Sequence, residues 1–185
     1  MDKVLPAKNL VDRGTELNGF SLPRWEDLPD FELYMDQVVT LVNRFLQPIL
    51  PEKSLLTAAM VNNYVKQKLL PPPLKKKYRK EHLAYLLAIS ALKQVLSLPE
   101  LKEALTYQIS FQEKTESYDA FCAMLEQALQ EVAQQMKEPQ AAQLPFDGTV
   151  QRRIFLRSIT LSLALKLFSE GVLAFPETKG ASNDE

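Results

Sequence analysis

The sequence predicts an all-α helix bundle, and three observations lead there. No glycine occurs between Phe20 and Asp147, which removes the residues that tight β-hairpins use through the middle of the chain. Apolar residues recur at spacings of three and four in one segment after another, the period of a helix with a single buried face. The 185 residues are 46% apolar and 24% charged, ordinary for a globular protein and enough for one sizeable core.

The first 28 residues are polar and hold Gly14 and Gly19, so they are expected to be extended or loosely ordered, with an N-terminal segment set at 1–23. Asp30 is a candidate N-cap with Glu32 in the first turn, and Phe31, Tyr34, Val38, Leu41 and Phe45 then share one helical face. Pro48 and Pro51 end that helix and stiffen the connection after it. Thr57 caps the next helix, which turns Val61, Tyr64, Val65 and Leu69 inward and Ala59, Asn62, Asn63, Lys66 and Gln67 outward. The prolines at 71–73 stop it, because proline lacks the amide donor and favours extended backbone; Tyr78 then ends a short strand or wing.

Leu83 to Leu96 is apolar on most sides and is placed at the centre. Ser97 and Glu100 make a capping box for a short helix to about Tyr107. Tyr118, Cys122, Leu125, Leu129, Val132 and Met136 are spaced 4, 3, 4, 3, 4, a heptad seam of under three repeats. Residues 137–148 read as a linker, and the last helix runs from near Thr149 to the stretch between Gly171 and Pro176. The polar tail is expected to fray. The expected division is a module over 24–110, a helical C-terminal region over 111–176 that can serve dimerisation, and a disordered tail over 177–185.

Composition excludes several functions. A single cysteine, Cys122, cannot make an internal disulfide framework, and residues 1–19 lack the charged start and apolar run of a secretory signal, so the cytoplasm is expected. The most apolar stretch, Ile154 to Phe175, contains Arg157 and Lys166 with Glu170 near its end, and reads as a buried or interface helix, not a membrane span. The glycine gap also removes Gly-rich phosphate loops and dinucleotide fingerprints. His82 is the only histidine and Cys122 lies on an apolar seam, so neither a zinc ligand set nor a paired nucleophile and base is on offer. Glu26, Asp27, Asp30, Glu32 and Asp36 fit a solvated loop and a helix N-terminus, where negative charge complements the dipole. No enzyme activity, cofactor or metal is expected.

The net charge of −1 conceals an asymmetry. From Lys53 to Lys93 there are nine Lys/Arg and one acid, or +8, while the rest of the chain carries 13 basic and 22 acidic residues, or −9. A basic module in an acidic protein points to an anionic partner. Within it, Asn62, Asn63 and Lys66 lie on the outward face of one helix; asparagine can pair bidentately with adenine and lysine can reach guanine or phosphate. After the prolines, Lys75, Lys76, Lys77, Tyr78, Arg79 and Lys80 can grip phosphates, with the Tyr78 ring packed below as a hinge to the core.

The stretch "MVNNYVKQKLLPPPLKKKYRKEHLAYLLAISALKQVLSLPELKEAL" resembles the DNA-binding segment of MerR-type winged helix-turn-helix regulators. Tyr64, Leu69, Leu70, Pro71 and Tyr78 fall on matching positions, as do Leu83, Ile89, Leu92 and Lys93. Lys76 stands where that family has a wing arginine and Asn62 where its reading helix has an arginine. Lys68 replaces the usual glycine before the two aliphatics, the glycine after the long helix is missing, and a long linker at 47–56 replaces a three-residue turn. The segments "LPRWEDLPDFELYMDQV", "MVNNYVKQKLLPPPLKKKY" and "EHLAYLLAISALKQVLS" are similar to a bacterial family of uncharacterised proteins, domain of unknown function 1836, over roughly residues 22–129. Together the resemblances imply a MerR-like module with a small β wing and a transcriptional regulator of double-stranded DNA. Regulators of this type present two reading heads to successive major grooves, so a homodimer is expected, with the seam or the 154–173 helix supplying its contact; the seam can equally be a core face within one subunit. The alternative is an adaptor that keeps the helix-turn-helix shape and docks an acidic protein.

Overall fold

The computed structural model describes residues 8–50, 55–109, 113–137 and 151–174. Its helices are α1 (Lys8–Asn18), α2 (Met35–Leu46), α3 (Ala58–Lys66), α4 (Lys80–Leu92), α5 (Leu98–Ile109), α6 (Lys114–Lys137) and α7 (Gln151–Ala174), with one 3-10 turn at Trp25–Asp27. The all-α architecture is as predicted. The small β wing is not: among the described residues there is no strand, only two isolated antiparallel bridges, Leu33–Tyr78 and Leu74–Lys77.

Helix α4 is the centre, with ten of its 13 residues buried. It packs on α2, α6 and α7, while α6 is sandwiched between α1 and α7. Buried side chains from Leu17 to Leu167 form one contiguous cluster, so the core runs without a break past residue 110. The local signals that place helices here are largely those in the sequence. Thr57 Oγ1 accepts from the Met60 amide at 3.3 Å to start α3. Glu100 Oε2 accepts from the Ser97 amide at 2.8 Å and from its hydroxyl at 2.6 Å to start α5.

Two expectations are corrected. Residues 8–18 are not extended but form α1, laid along α6 with Leu17 fully buried. A glycine inside a helix costs about 1 kcal/mol relative to alanine; tertiary packing outweighs that at Gly14. Arg13 further ties α1 to the end of α2, donating to the Pro48 and Ile49 carbonyls at 2.8 and 3.0 Å. The helix expected from Asp30 begins only at Met35. Leu33 exchanges both backbone hydrogen bonds with Tyr78, each 2.8 Å, which commits it to extended geometry. Phe31 and Tyr34 are therefore outside the helix and 62% and 57% exposed, and the buried face is Val38, Val42 and Leu46.

The long connection after α2 is bracketed by Asn43, which donates to the Leu56 carbonyl at 2.9 Å and accepts from its amide at 2.8 Å. Pro51, the expected linker beyond Lys137 and the tail from residue 177 lie outside the described residues. In α7, Arg157 is buried and pairs with Glu131 of α6, while Lys166 pairs with Glu170 at 2.7 Å. Among the described residues no helix is long and apolar enough to cross a membrane.

Candidate nucleic-acid interface

Helix α3 carries the three proposed reading residues on one side. Val61 and Tyr64 are buried, whereas Asn62, Asn63 and Lys66 are exposed; Lys66 lies i+4 from Asn62 and i+3 from Asn63, so it adjoins both on the helix surface. Asn63 Oδ1 accepts from Gln67 Nε2 at 3.1 Å, which holds its carboxamide in place. Asn62 and Lys66 bond to no other described side chain.

The end of α3 explains Lys68. The Leu69 amide donates to the Tyr64 carbonyl at 2.9 Å and the Lys68 amide to the Val65 carbonyl at 3.1 Å. These are the two bonds of a Schellman cap, which needs a left-handed residue at its turning point. Lys68 supplies it with φ 58°. A lysine therefore occupies a left-handed position of the kind that favours glycine.

The strip itself is a two-residue turn. The Lys77 amide donates to the Leu74 carbonyl at 2.9 Å, and Lys75 and Lys76 between them have φ 50° and 65°. Positive φ at both central residues is the requirement of the type I′ hairpin turn, usually met by Asn-Gly or Gly-Gly. A missing glycine therefore does not exclude a tight turn here, contrary to the sequence expectation. Lys68, Lys75 and Lys76 are the only non-glycine residues with positive φ among those described.

The Leu33–Tyr78 bridge sorts the neighbouring side chains by alternation. Leu33 and Tyr78 turn inward, and the Tyr78 ring sits edge-on to His82 at 5.5 Å between centroids. His82 Nδ1 accepts from the Arg79 amide at 3.1 Å and so caps the start of α4. On the outer side Glu32 faces Lys77 at 3.0 Å and Arg79 at 3.4 Å, and the Lys77 ammonium lies 5.8 Å over the Tyr34 ring. The Lys77 hydrogen bond, more than the Arg79 one, holds the Glu32 carboxyl below its ordinary value, and Glu32 in turn raises Lys77.

The six proposed phosphate ligands thus divide into three groups. Lys75, Lys76 and Lys80 make no ion pair among the described residues. Lys77 and Arg79 are offset by one shared carboxylate. Tyr78 is 3% exposed and acts as the hinge to the core, with its ring withdrawn from a phosphate path. Sequence reasoning assigned Glu32 to a helix first turn and missed it as the strip's counter-charge. That pairing joins residues 45 apart, and no local pattern announces it.

The proposed dimer seam is a face of the intrachain core. Tyr118, Cys122, Leu125, Leu129, Val132 and Met136 are all buried within their own chain, on the helix that packs against α1 and α7. The segment before α2 is fastened to the same helix. Arg24 grips Glu126 with two bonds of 2.8 and 2.5 Å, and the Leu22 amide donates to Glu126 Oε1 at 2.9 Å. The Trp25 amide donates to Asp119 at 2.8 Å, and the Tyr118 hydroxyl to the Pro23 carbonyl at 2.9 Å. Burial pushes the Cys122 thiol up to about 11, which suits a core residue and not a nucleophile. Among the described residues no cluster of three metal-ligating side chains occurs.

These features define a single-core helical protein that projects a cationic turn between α3 and α4. The chain belongs to the family described as "Domain of unknown function (DUF1836)", whose profile matches residues 23–138. That span begins with the segment clamped to α6 and ends where α6 ends. No curated protein and no solved structure matches the chain.

Proposed function

We propose that the protein is a winged helix-turn-helix regulator of the MerR-like kind that binds double-stranded DNA. Helix α3 enters the major groove and reads bases with Asn62, Asn63 and Lys66. Lys75, Lys76 and Lys80 neutralise phosphates, Lys77 and Arg79 join them when Glu32 yields, and the 74–77 turn serves as a minimal wing. The observation that carries this reading is the identity of the residues at positive φ: all three are lysines. A non-glycine residue in that region costs on the order of 1–3 kcal/mol, and such strain gathers at ligand clamps. Glycine would relieve the strain but would remove the charge.

Strain and charge can be separated by substitution. Lys75→Gly with Lys76→Gly relaxes the turn and deletes two cations. Fluorescence anisotropy with mixed-sequence duplex DNA across a salt series should show the logarithmic salt slope falling by about 1.8, at about 0.9 for each phosphate no longer neutralised, while thermal stability holds or rises. Asn62→Ala should flatten the preference among sequences more than it lowers affinity. Absence of duplex binding by the unaltered chain at low salt refutes the proposal.

Two half-sites call for two copies, so the regulator acts as a homodimer whose contact lies outside the buried α6 seam. A second reading is favoured by the exposure of Phe31, Tyr34 and Leu74, at 62%, 57% and 57%. Tyr34 and Leu74 flank Lys77, and apolar groups beside cations suit an acidic protein partner. Retention of that partner together with indifference to DNA would select the adaptor.

A further inference from the structure

A cavity of about 60 Å³ opens among α4, α5, α6 and α7. Its walls are apolar, with Trp25, Ala88, Phe121, Phe155 and Ile159 among them. Among the polar side chains that also line it are Gln108 and Ser117, only 8% and 6% exposed. Gln108 Oε1 and Ser117 Oγ are buried there with no hydrogen-bond partner. Buried polar atoms in native proteins are nearly always paired, so an apolar chamber holding two unpaired ones calls for something to complete them. A single water needs about 10–15 Å³ on this measure, and the space is several times that.

We propose that this cavity is a binding site for a small neutral amphiphile: an apolar ring or branched chain bearing one hydroxyl group. The assignment rests on the two unpaired atoms. Gln108 Oε1 can only accept, and Ser117 Oγ–H can donate. A hydroxyl that donates to the first and accepts from the second satisfies both, and the apolar body fills the rest. A charged ligand does not fit, because the charged groups on the rim, Lys114 and Glu81, already pair with each other and leave no counter-charge.

The chain carries its own reporter, since Trp25 is the only tryptophan and lines the cavity. The full-length protein is titrated with phenol and, separately, with toluene, which has the same size but no hydroxyl, while Trp25 emission is followed. Phenol should shift the emission saturably and bind at least about fivefold more tightly than toluene, the usual worth of one hydrogen bond. Gln108→Leu should lower phenol affinity toward that of toluene and leave toluene unchanged. If that variant fails to fold, the phenol–toluene comparison on the unaltered chain still decides. No saturable response to phenol overturns the proposal, and so does equal affinity for the two probes, which would mean that water alone completes Gln108 and Ser117. The outcome is independent of DNA binding, which is read in a separate assay.

Discussion

Lys68 shows how much one backbone angle can weigh in stability. Its φ of 58° is the left-handed turn that closes the Schellman cap of α3. Lys68→Gly should raise the unfolding free energy by about 0.5–1 kcal/mol, measured as a higher urea midpoint at unchanged slope, because removing the β-carbon clash outweighs the freedom the unfolded chain gains. Glu32 is the opposite kind of residue, holding two cations back. Glu32→Gln should tighten duplex binding and steepen the salt slope by up to about 0.9 for each cation released. The sign with pH is set by the depressed carboxyl. Above the ordinary carboxylate range the pair is intact and contributes its full stability; as pH falls through the folded-state value that contribution is lost and Lys77 and Arg79 are freed. A rise in DNA affinity at acid pH that Glu32→Gln abolishes would report this group. Cys122, with its thiol pushed up to about 11, should react with a disulfide reagent at pH 8 only as fast as the chain opens, and promptly in denaturant.

Helices announced by nearby residues were legible: α3 through Thr57, α5 through Ser97 and Glu100, and α4 through its all-round apolar character. Where a distant partner decides, the sequence pattern misleads. Phe31 and Tyr34 have helical spacing, yet Leu33 is held extended by Tyr78. The heptad spacing in α6 is real, but α1, α7 and the 22–25 segment of the same chain cover it. The outward face of α3 was readable from period alone; the neutralisation of Lys77 and Arg79 was not, because it depends on a bridge between segments far apart in sequence. The clamp on α6 is testable by itself. Glu126→Ala leaves Arg24 and the Leu22 amide without their acceptor and should cost about 1–3 kcal/mol, the range for polar groups left without a hydrogen-bond partner. Trp25 emission should shift to the red as the segment lifts from α6.

At the scale of the whole molecule, the elements share one core although their charge is divided. The +8 carried between Lys53 and Lys93 sits on a body that is otherwise acidic, but the buried cluster passes from α2 through α4 into α6 and α7. The buried cluster spans the division at residue 110 that the sequence suggested. Unfolding should therefore be a single transition, with Trp25 fluorescence and far-ultraviolet circular dichroism superimposing across a urea titration; two separated transitions would show that α6 and α7 form a unit of their own.

The bridge between Leu33 and Tyr78 also bears on how the protein can be cut. A fragment beginning at Met35 would keep α2, α3 and α4 whole and would look like a complete DNA-binding unit. It would leave Tyr78 with neither of its backbone partners and Lys77 and Arg79 without Glu32. The aim of the cationic turn is set by chain that precedes the first of those helices, and that chain is itself pinned to α6 at Leu22, Arg24 and Trp25. The smallest piece that can hold the turn as the intact protein does must therefore reach from the "LPRW" segment into the second half of the sequence.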